Sequence, residues 1–275
     1  FSKIDDSVPK EMKQKSLDAF KSRLPEWSTD SFPGVLTNVI AGRISNRFDL
    51  GGMNFTVDAA CASSFAALDT GLRQLRAHAC DAALVGAVDL DNHPLGYVMF
   101  SRAQVLSSTG ESRPLEDGAN GIVLSEGAGA VVLKRLSDAK RDKDRIYAVI
   151  KGMGGASDGR NTSLVAPNSQ GQLRAMKAAY EDAGISPESV ELLELHGTGT
   201  ILGDRVEMQS CTTLLKQSNV LGRKHCAVGS VKSMIGHTKV SAGLASLIKT
   251  SLALNQKILP PTIGVDSPNK KIDFK

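Results

Sequence analysis

The chain has 275 residues, of which 41% are hydrophobic, 4% aromatic and 23% charged, with a formal net charge of +4. The apolar share suffices for one large core or two fused halves, filled by aliphatic and small side chains. No apolar run reaches the roughly 18 residues of a helical membrane span, and the basic residues are mixed with acidic ones, as in Lys140-Arg141-Asp142-Lys143-Asp144-Arg145, a solvated pattern and not a nucleic-acid patch.

In chain order, Pro9 to Leu24 reads as a basic–acidic helix, followed by a loop from Pro25 to Pro33 and a helix near Val35 to Asn46. Met53-Asn54-Phe55-Thr56-Val57-Asp58-Ala59-Ala60 is mostly apolar and reads as a short buried strand. It ends at Cys61, which opens a run of small residues, Ala62-Ser63-Ser64. Beyond them Phe65, Leu68, Leu72 and Leu75 fall on one helical face. A cysteine at a strand-to-helix turn lies at the positive end of a helix dipole, where a thiolate is stabilised and the pKa is expected to fall. Small neighbours leave room for a substrate to reach the sulfur. The same context also suits a buried, inert thiol, so Cys61 alone leaves both readings open.

Ala82 to Val88 reads as a strand, and Val123 to Leu136 as strand-rich with a glycine loop at Gly127 to Gly129. Asp138 to Asp144 looks like a junction, dividing the chain into halves 1–140 and 141–275. Ile146 to Met153 then reads as a strand. Gln170 to Ala183 reads as a helix with Leu173, Met176 and Tyr180 on one side, stopped by Gly184 and Pro187. Strand Val190 to Leu195, helix Asp204 to Lys216, strand Ala227 to Gly229 and a long helix opened by His237 complete the order. In that last helix Val240, Leu244, Leu247 and Ile248 share a face. Such alternation indicates an α/β sheet protein.

His196 ends the run Val190-Glu191-Leu192-Leu193-Glu194-Leu195 and precedes Gly197-Thr198-Gly199-Thr200. His237 ends Gly229-Ser230-Val231-Lys232-Ser233-Met234-Ile235-Gly236. Both lie beside glycines just past expected strands, where ligands collect in α/β proteins. A thiol with histidines able to give and take protons is a set for covalent acyl transfer. Either histidine taken singly fits a structural or solvated role better than a catalytic one. His78, His93 and His225 read as surface residues. Cys80, Cys211 and Cys226 show no CxxC or metal spacing, and read as reduced thiols of a cytoplasmic protein. Gly197, Gly199 and Gly203 loosely imitate a dinucleotide fingerprint, but the third glycine is displaced and Gly222-Arg223-Lys224 stands where an acidic residue is expected.

Val57-Asp58-Ala59-Ala60-Cys61-Ala62-Ser63-Ser64, His196-Gly197-Thr198-Gly199-Thr200 and Ser230-Val231-Lys232-Ser233-Met234-Ile235-Gly236-His237 resemble, in order and spacing, the three catalytic blocks of the β-ketoacyl synthases. Leu106-Ser107-Ser108-Thr109-Gly110 and Ser125 to Leu133 resemble further blocks, and the likeness runs from about Pro33 to Asp273. Asn46 to Asn54, Asp144 to Gly152 and Ser233-Met234-Ile235-Gly236 resemble ketosynthase domains of iterative type I polyketide, polyunsaturated-fatty-acid and enediyne synthases.

The resemblance implies an α/β thiolase-like layered fold of two related halves. It implies Cys61 as the nucleophile that carries the acyl chain, His196 and His237 as stabilisers of the malonyl enolate, and Lys232 as a supporting charge. No metal or bound cofactor is implied, since an acyl carrier protein brings the phosphopantetheine. Acyl and malonyl thioesters, neighbouring synthase domains and a second copy of the chain are the implied partners. The family also has segments that would precede Phe1 and follow Lys275, so the chain is expected to be a fragment with edges of the fold missing. Leu115 stands where the family has Phe. The competing readings are a non-catalytic scaffold, and a thiolase or thioester hydrolase using the same Cys/His chemistry.

Overall fold

The computed structural model describes residues 8–24, 26–29, 31–161, 163, 166–218 and 226–274. Phe1–Thr56 and Val57–Lys275 form two compact units. The first carries helices α1 (Lys10–Lys21), α2 (Ser31–Gly34) and α3 (Val39–Phe48). The short α2 overlaps the end of the stretch expected as a loop, of which Pro25 and Asp30 fall outside the described residues. Asp49 ends α3 at φ 52°, a left-handed position that short polar side chains tolerate.

The second unit runs α4 (Ser63–Arg76), β1 (Ala82–Asp89), α5 (Pro94–Arg102), β2 (Gly127–Lys134), α6 (Leu136–Arg141), α7 (Ser169–Ala183), β3 (Leu192–Glu194), α8 (Ile201–Gln217), β4 (Ala227–Gly229), α9 (Lys232–Ile235) and α10 (Ala242–Gln256). The ends of α7 follow the expected signals. Asn168 caps its start by accepting the Gln170 N–H, and Gly184 closes it at φ 63°. β1 and β2 pair antiparallel, with Ala82 opposite Lys134 and Asp89 opposite Gly127. β3 and β4 pair parallel, with Leu192 opposite Ala227.

Period-two alternation puts Ala83, Val85, Val131 and Leu133 on one face of the β1–β2 ribbon. That face packs on α4, whose Leu68 and Leu75 join Val85 and Leu133 in one buried cluster. Burial of each such leucine is worth about 1.5–3 kcal/mol. Helix α10 lies on the same face, with Leu244 and Ile248 beside Gly129. From there Lys249 of α10 reaches Glu194 of β3 at 2.7 Å, so α10 spans from one sheet to the other. The opposite face of β3–β4 carries Leu193 and Val228 against Met176 of α7 and Met208 and Cys211 of α8. Leu115 joins this cluster with Leu195 and Ile272, so an aliphatic side chain fills that position.

The long helix expected to open at His237 begins only at Ala242, after a one-turn 3-10 helix at Lys239–Ser241, and three further elements differ from expectation. Met53 to Ala60 forms no strand and pairs with none among the described residues, and Met53 and Phe55 are exposed. Ile146 to Met153 is likewise no strand. It lies across α7, so close that a Cβ on Gly152 would stand 2.4 Å from the Ala179 carbonyl oxygen, and the Met153 N–H is taken by Asp182 at 2.8 Å. Gly127 to Gly129, expected as a loop, belongs to β2. A Cβ at Gly127 would stand 3.0 Å from Ser241 Oγ and from Thr238, so glycine there serves close approach within a strand.

Candidate active site

Cys61 sits in a one-turn 3-10 helix, Ala60–Ala62, that leads directly into α4. Ala60 adopts φ 49°, uncommon for a residue with a Cβ. Three local bonds hold it there. Asp58 Oδ1 accepts the Ala60 N–H at 2.9 Å, Ser63 Oγ donates to the Ala60 carbonyl at 2.7 Å, and the Ala59 N–H donates to Ser63 Oγ at 2.9 Å. The sharp turn sets the half-buried thiol at the start of a 14-residue helix.

His196 follows β3. Its N–H donates to Glu207 Oε1 at 2.7 Å, and the next N–H, of Gly197, to Oε2 at 2.9 Å. One turn back on α8, Asp204 accepts N–H bonds from Leu115 at 2.8 Å and Gly199 at 3.2 Å. Two carboxylates of the first turns of α8 thus clamp the backbone of the His196 loop. The N–H groups that a dinucleotide phosphate would need are taken, and a phosphate there would meet negative charge. Burial raises the pKa of both carboxyls, against the pull of these bonds. Ser230, fully buried, ties the loop to the end of β4 by donating to the Gly197 carbonyl at 3.1 Å.

His237 is bracketed by the segment before β2. Its N–H donates to the Val123 carbonyl at 2.7 Å, and its carbonyl accepts the Ser125 N–H at 3.0 Å. The Lys239 N–H donates to His237 Nδ1 at 3.0 Å. The neutral ring therefore carries its proton on Nε2.

The structure brings three of the expected residues together. Donor atoms of Cys61, His196 and His237 all lie within 4.8 Å of one another, and the two rings meet edge-on with centroids 5.3 Å apart. Such spacing could admit a soft metal ion, but a ring whose Nδ1 is engaged and whose Nε2 holds a proton offers a hydrogen-bond donor and not a lone pair. Lys232, only 2% exposed, is the fixed positive charge nearby. It acts electrostatically on all three residues. Burial lowers its own pKa, while Glu207, Glu194 and Asp204 hold it up.

One electrostatic expectation fails. Burial pushes the Cys61 thiol up, and the Lys232 ammonium offsets this only in part, so the low pKa expected from the helix start is not what the site provides. Cys211 is pushed further, to about 12, by its burial in the core. His78 and His93 are exposed as expected, His93 capping α5 through Nδ1. His225 and Gly222-Arg223-Lys224 lie outside the described residues.

Burial, reinforced by Lys232, takes His237 down to about 3 and His196 to about 4. His237 is 3% exposed and feels this fully, whereas His196 is exposed and water screens part of the effect. Both rings are thus neutral near pH 7. Between pH 6.5 and about 3 the unfolded chain binds a proton at His237 that the folded chain does not. This group's contribution is complete above pH 6.5, and stability falls as the pH drops below it, by up to about 1.4 kcal/mol per pH unit. Urea unfolding at pH 7 and pH 5 should show a smaller loss for His237→Gln than for the wild type; equal losses would contradict the assignment.

Sequence reasoning missed Asp204, Glu207, Ser230 and Lys239. Two acidic residues three apart in the first turns of a helix that follows a glycine loop were the only legible signal.

Residues 9–139 match the amino-terminal domain model of the β-ketoacyl synthases and residues 147–266 the carboxy-terminal one. A polyunsaturated fatty acid synthase polypeptide of Thraustochytrium is 43% identical over 262 residues, 95% of this chain and 9% of that protein. A phenolphthiocerol/phthiocerol polyketide synthase polypeptide of Mycobacterium bovis is 40% identical over 256 residues, 92% of this chain and 13% of that protein. The solved ketosynthase from module 6 of the Bacillus subtilis bacillaene synthase superposes with a TM-score of 0.85 at 38% identity, covering 91% of this chain and 46% of that one. The oxazolomycin ketosynthase domain of Streptomyces albus gives 0.83 at 36%, covering 86% and 42%. The chain thus spans less than half of these solved domains and a small part of the synthases. The fold is thiolase-like. Among the described residues no helix is long and apolar enough to cross a membrane.

Proposed function

The chain belongs to the β-ketoacyl synthase family, and from this premise we propose that it carries the condensing centre of a polyketide or fatty-acid synthase, with Cys61 as nucleophile. The supporting observation is the convergence of one thiol and two neutral imidazoles within 4.8 Å beside a buried lysine.

Cys61 sulfur attacks the carbonyl of an acyl thioester borne on a carrier protein. The bond to the carrier sulfur breaks, and the thiol proton ends on the departing phosphopantetheine thiol. The helix start and Lys232 favour the attacking thiolate against the burial that opposes it. A malonyl thioester then loses carbon dioxide, and negative charge develops on its thioester oxygen. Neutral imidazoles donate N–H bonds to that oxygen without giving up a full proton, which suits an enolate meant to react at carbon. His237 is held ready for this by its Nε2–H form. The enolate carbon attacks the Cys61 thioester, the carbon–sulfur bond breaks, and the released thiolate takes up a proton. No metal or redox group enters this balance. Lys232 acts by reinforcing the burial that holds the two imidazoles neutral.

The halves 1–140 and 141–275 are supported by the gap between the two family matches. Pairing with a second copy or a neighbouring domain is supported by Leu84, Val88 and Val132 on the outer face of the β1–β2 ribbon, 44%, 40% and 72% exposed. Four free thiols are in keeping with the reducing cytoplasm. Incubation with a short acyl thioester and a malonyl-loaded carrier protein should yield carbon dioxide and a β-ketoacyl product on the carrier. Folded protein that binds both substrates and forms neither would favour a scaffold.

A further inference from the structure

We infer that Lys239 is a positioning residue, whose side chain, locked to Asp89, fixes His237 in the Nε2–H form. The bond that selects this form comes from the Lys239 backbone N–H to His237 Nδ1 at 3.0 Å. Lys239 makes that bond from φ 50°, the left-handed region that an L-residue with a long side chain rarely enters. A turn in this region persists only where its surroundings hold it. Here the Ser241 N–H and hydroxyl close the turn by donating to the Thr238 carbonyl at 3.0 and 2.9 Å, and the Lys239 side chain anchors it to the ribbon. The ammonium reaches Asp89 Oδ1 at 2.9 Å, Asn92 Oδ1 at 2.9 Å and the Ser125 carbonyl at 2.9 Å.

All three donors of the ammonium are therefore used, and the pair is enclosed, with side-chain exposures of 16% for Lys239 and 12% for Asp89. The anchors are rigid. Asp89 is the last residue of β1, opposite Gly127 of β2. Ser125 also takes the His237 carbonyl through its N–H. Asn92 is tied back by its own N–H to Glu126 Oε1 at 3.0 Å. The two histidine-holding contacts, from Val123–Ser125 and from Lys239, thus converge on one small framework at the end of the β1–β2 ribbon. Loss of the Asp89–Lys239 pair leaves the strained turn unanchored, and as it relaxes the Thr238–Lys239 peptide shifts and carries the N–H off Nδ1. The ring can then carry its proton on either nitrogen, and the site loses a preset donor.

The inference rests on the reading of His237 as enolate donor, and the test separates the two. Histidine labelled with nitrogen-15 is observed by NMR in the wild type, Lys239→Met, Asp89→Asn and Lys239→Arg, with Cys61 self-acylation and condensation followed alongside. The wild type should show His237 protonated on Nε2. Lys239→Met and Asp89→Asn should show a mixture of the two neutral forms and a fall in condensation of about tenfold or more, with self-acylation within about twofold. Lys239→Arg should recover most of both signals. An unchanged ring form in Lys239→Met and Asp89→Asn overturns the inference. So does a parallel fall of self-acylation and condensation, which marks general loss of structure. A shifted ring form in a protein whose wild type performs no condensation upholds the positioning and removes the donor role instead.

Discussion

Cys61→Ala is expected to lose condensation by more than about 10³-fold while the protein still decarboxylates malonyl carrier protein. The proposed mechanism has two separate tasks. The sulfur is needed only to hold the acyl chain, and alanine has nothing to hold it with. The imidazoles would act on the malonyl unit, and the bonds that hold the His196 backbone and the His237 ring do not use the sulfur. The substitution should also preserve the fold. Cys61 is half-buried, and the turn around it is held by Asp58 and Ser63 through bonds to Ala59 and Ala60, none of which uses the thiol. Release of labelled carbon dioxide measured beside β-ketoacyl product would show both effects in one reaction. Product formation surviving the change would remove the nucleophile role, and simultaneous loss of decarboxylation would mean that the two tasks are not separate.

His196→Ala and His237→Ala are expected to show the reverse pattern. Each should depress condensation by about 10²–10³-fold, the usual cost of one oxyanion donor, while self-acylation of Cys61 proceeds within a few fold of wild type. The distinction arises because thiol–thioester exchange returns its proton to the leaving thiol, whereas the enolate needs both N–H groups. The His237 change is the cleaner of the two for tautomer arguments, since its Nδ1 is already engaged by Lys239. The His196 change leaves the Glu207 clamp intact, because that clamp holds backbone and not ring. Single-turnover assays that resolve acylation from condensation check both. Condensation near the wild-type rate in either variant would overturn that residue's role.

Much of this was legible in the residues. The helix after Cys61 could be placed because Leu68 and Leu75 recur at helical spacing, and both are buried where that spacing puts them. Strand β4 carries the expected bounds because Ser230 and Gly229 change the pattern abruptly after a short apolar run. Cys61 and His196 stood out since each follows a mostly apolar run and borders small residues, and His237 since it borders Gly236 just past an expected strand. The failures have a common cause. Met53 to Ala60 and Ile146 to Met153 have the composition of strands, but strands need ladder partners, and composition says nothing about what lies alongside. Gly152 and Gly154 instead let the second segment press on α7. The glycines of β2 read as a loop for a different reason, since Thr238 and Ser241 approach Gly127, and Ile248 approaches Gly129, closely enough to leave little room for a side chain at those two positions.

The supporting shell was the least legible part. Asp204, Glu207 and Lys239 look like ordinary charged residues of helices and turns. Their roles exist only because the chain folds back to put loop N–H groups in front of Asp204 and Glu207 and the end of β1 beside Lys239. The pKa of Cys61 failed for a related reason. A helix start is visible in sequence, whereas the depth of burial that outweighs it is a property of the packed structure.

The most direct test of the central claim is the mass of the intact wild-type protein after exposure to a short acyl thioester, followed by peptide mapping of the adduct. A single acyl group per chain is expected, released by hydroxylamine as a thioester and located on Cys61. A folded protein that acquires no acyl group, or acquires it on Cys80 or Cys226 and not on Cys61, would contradict it.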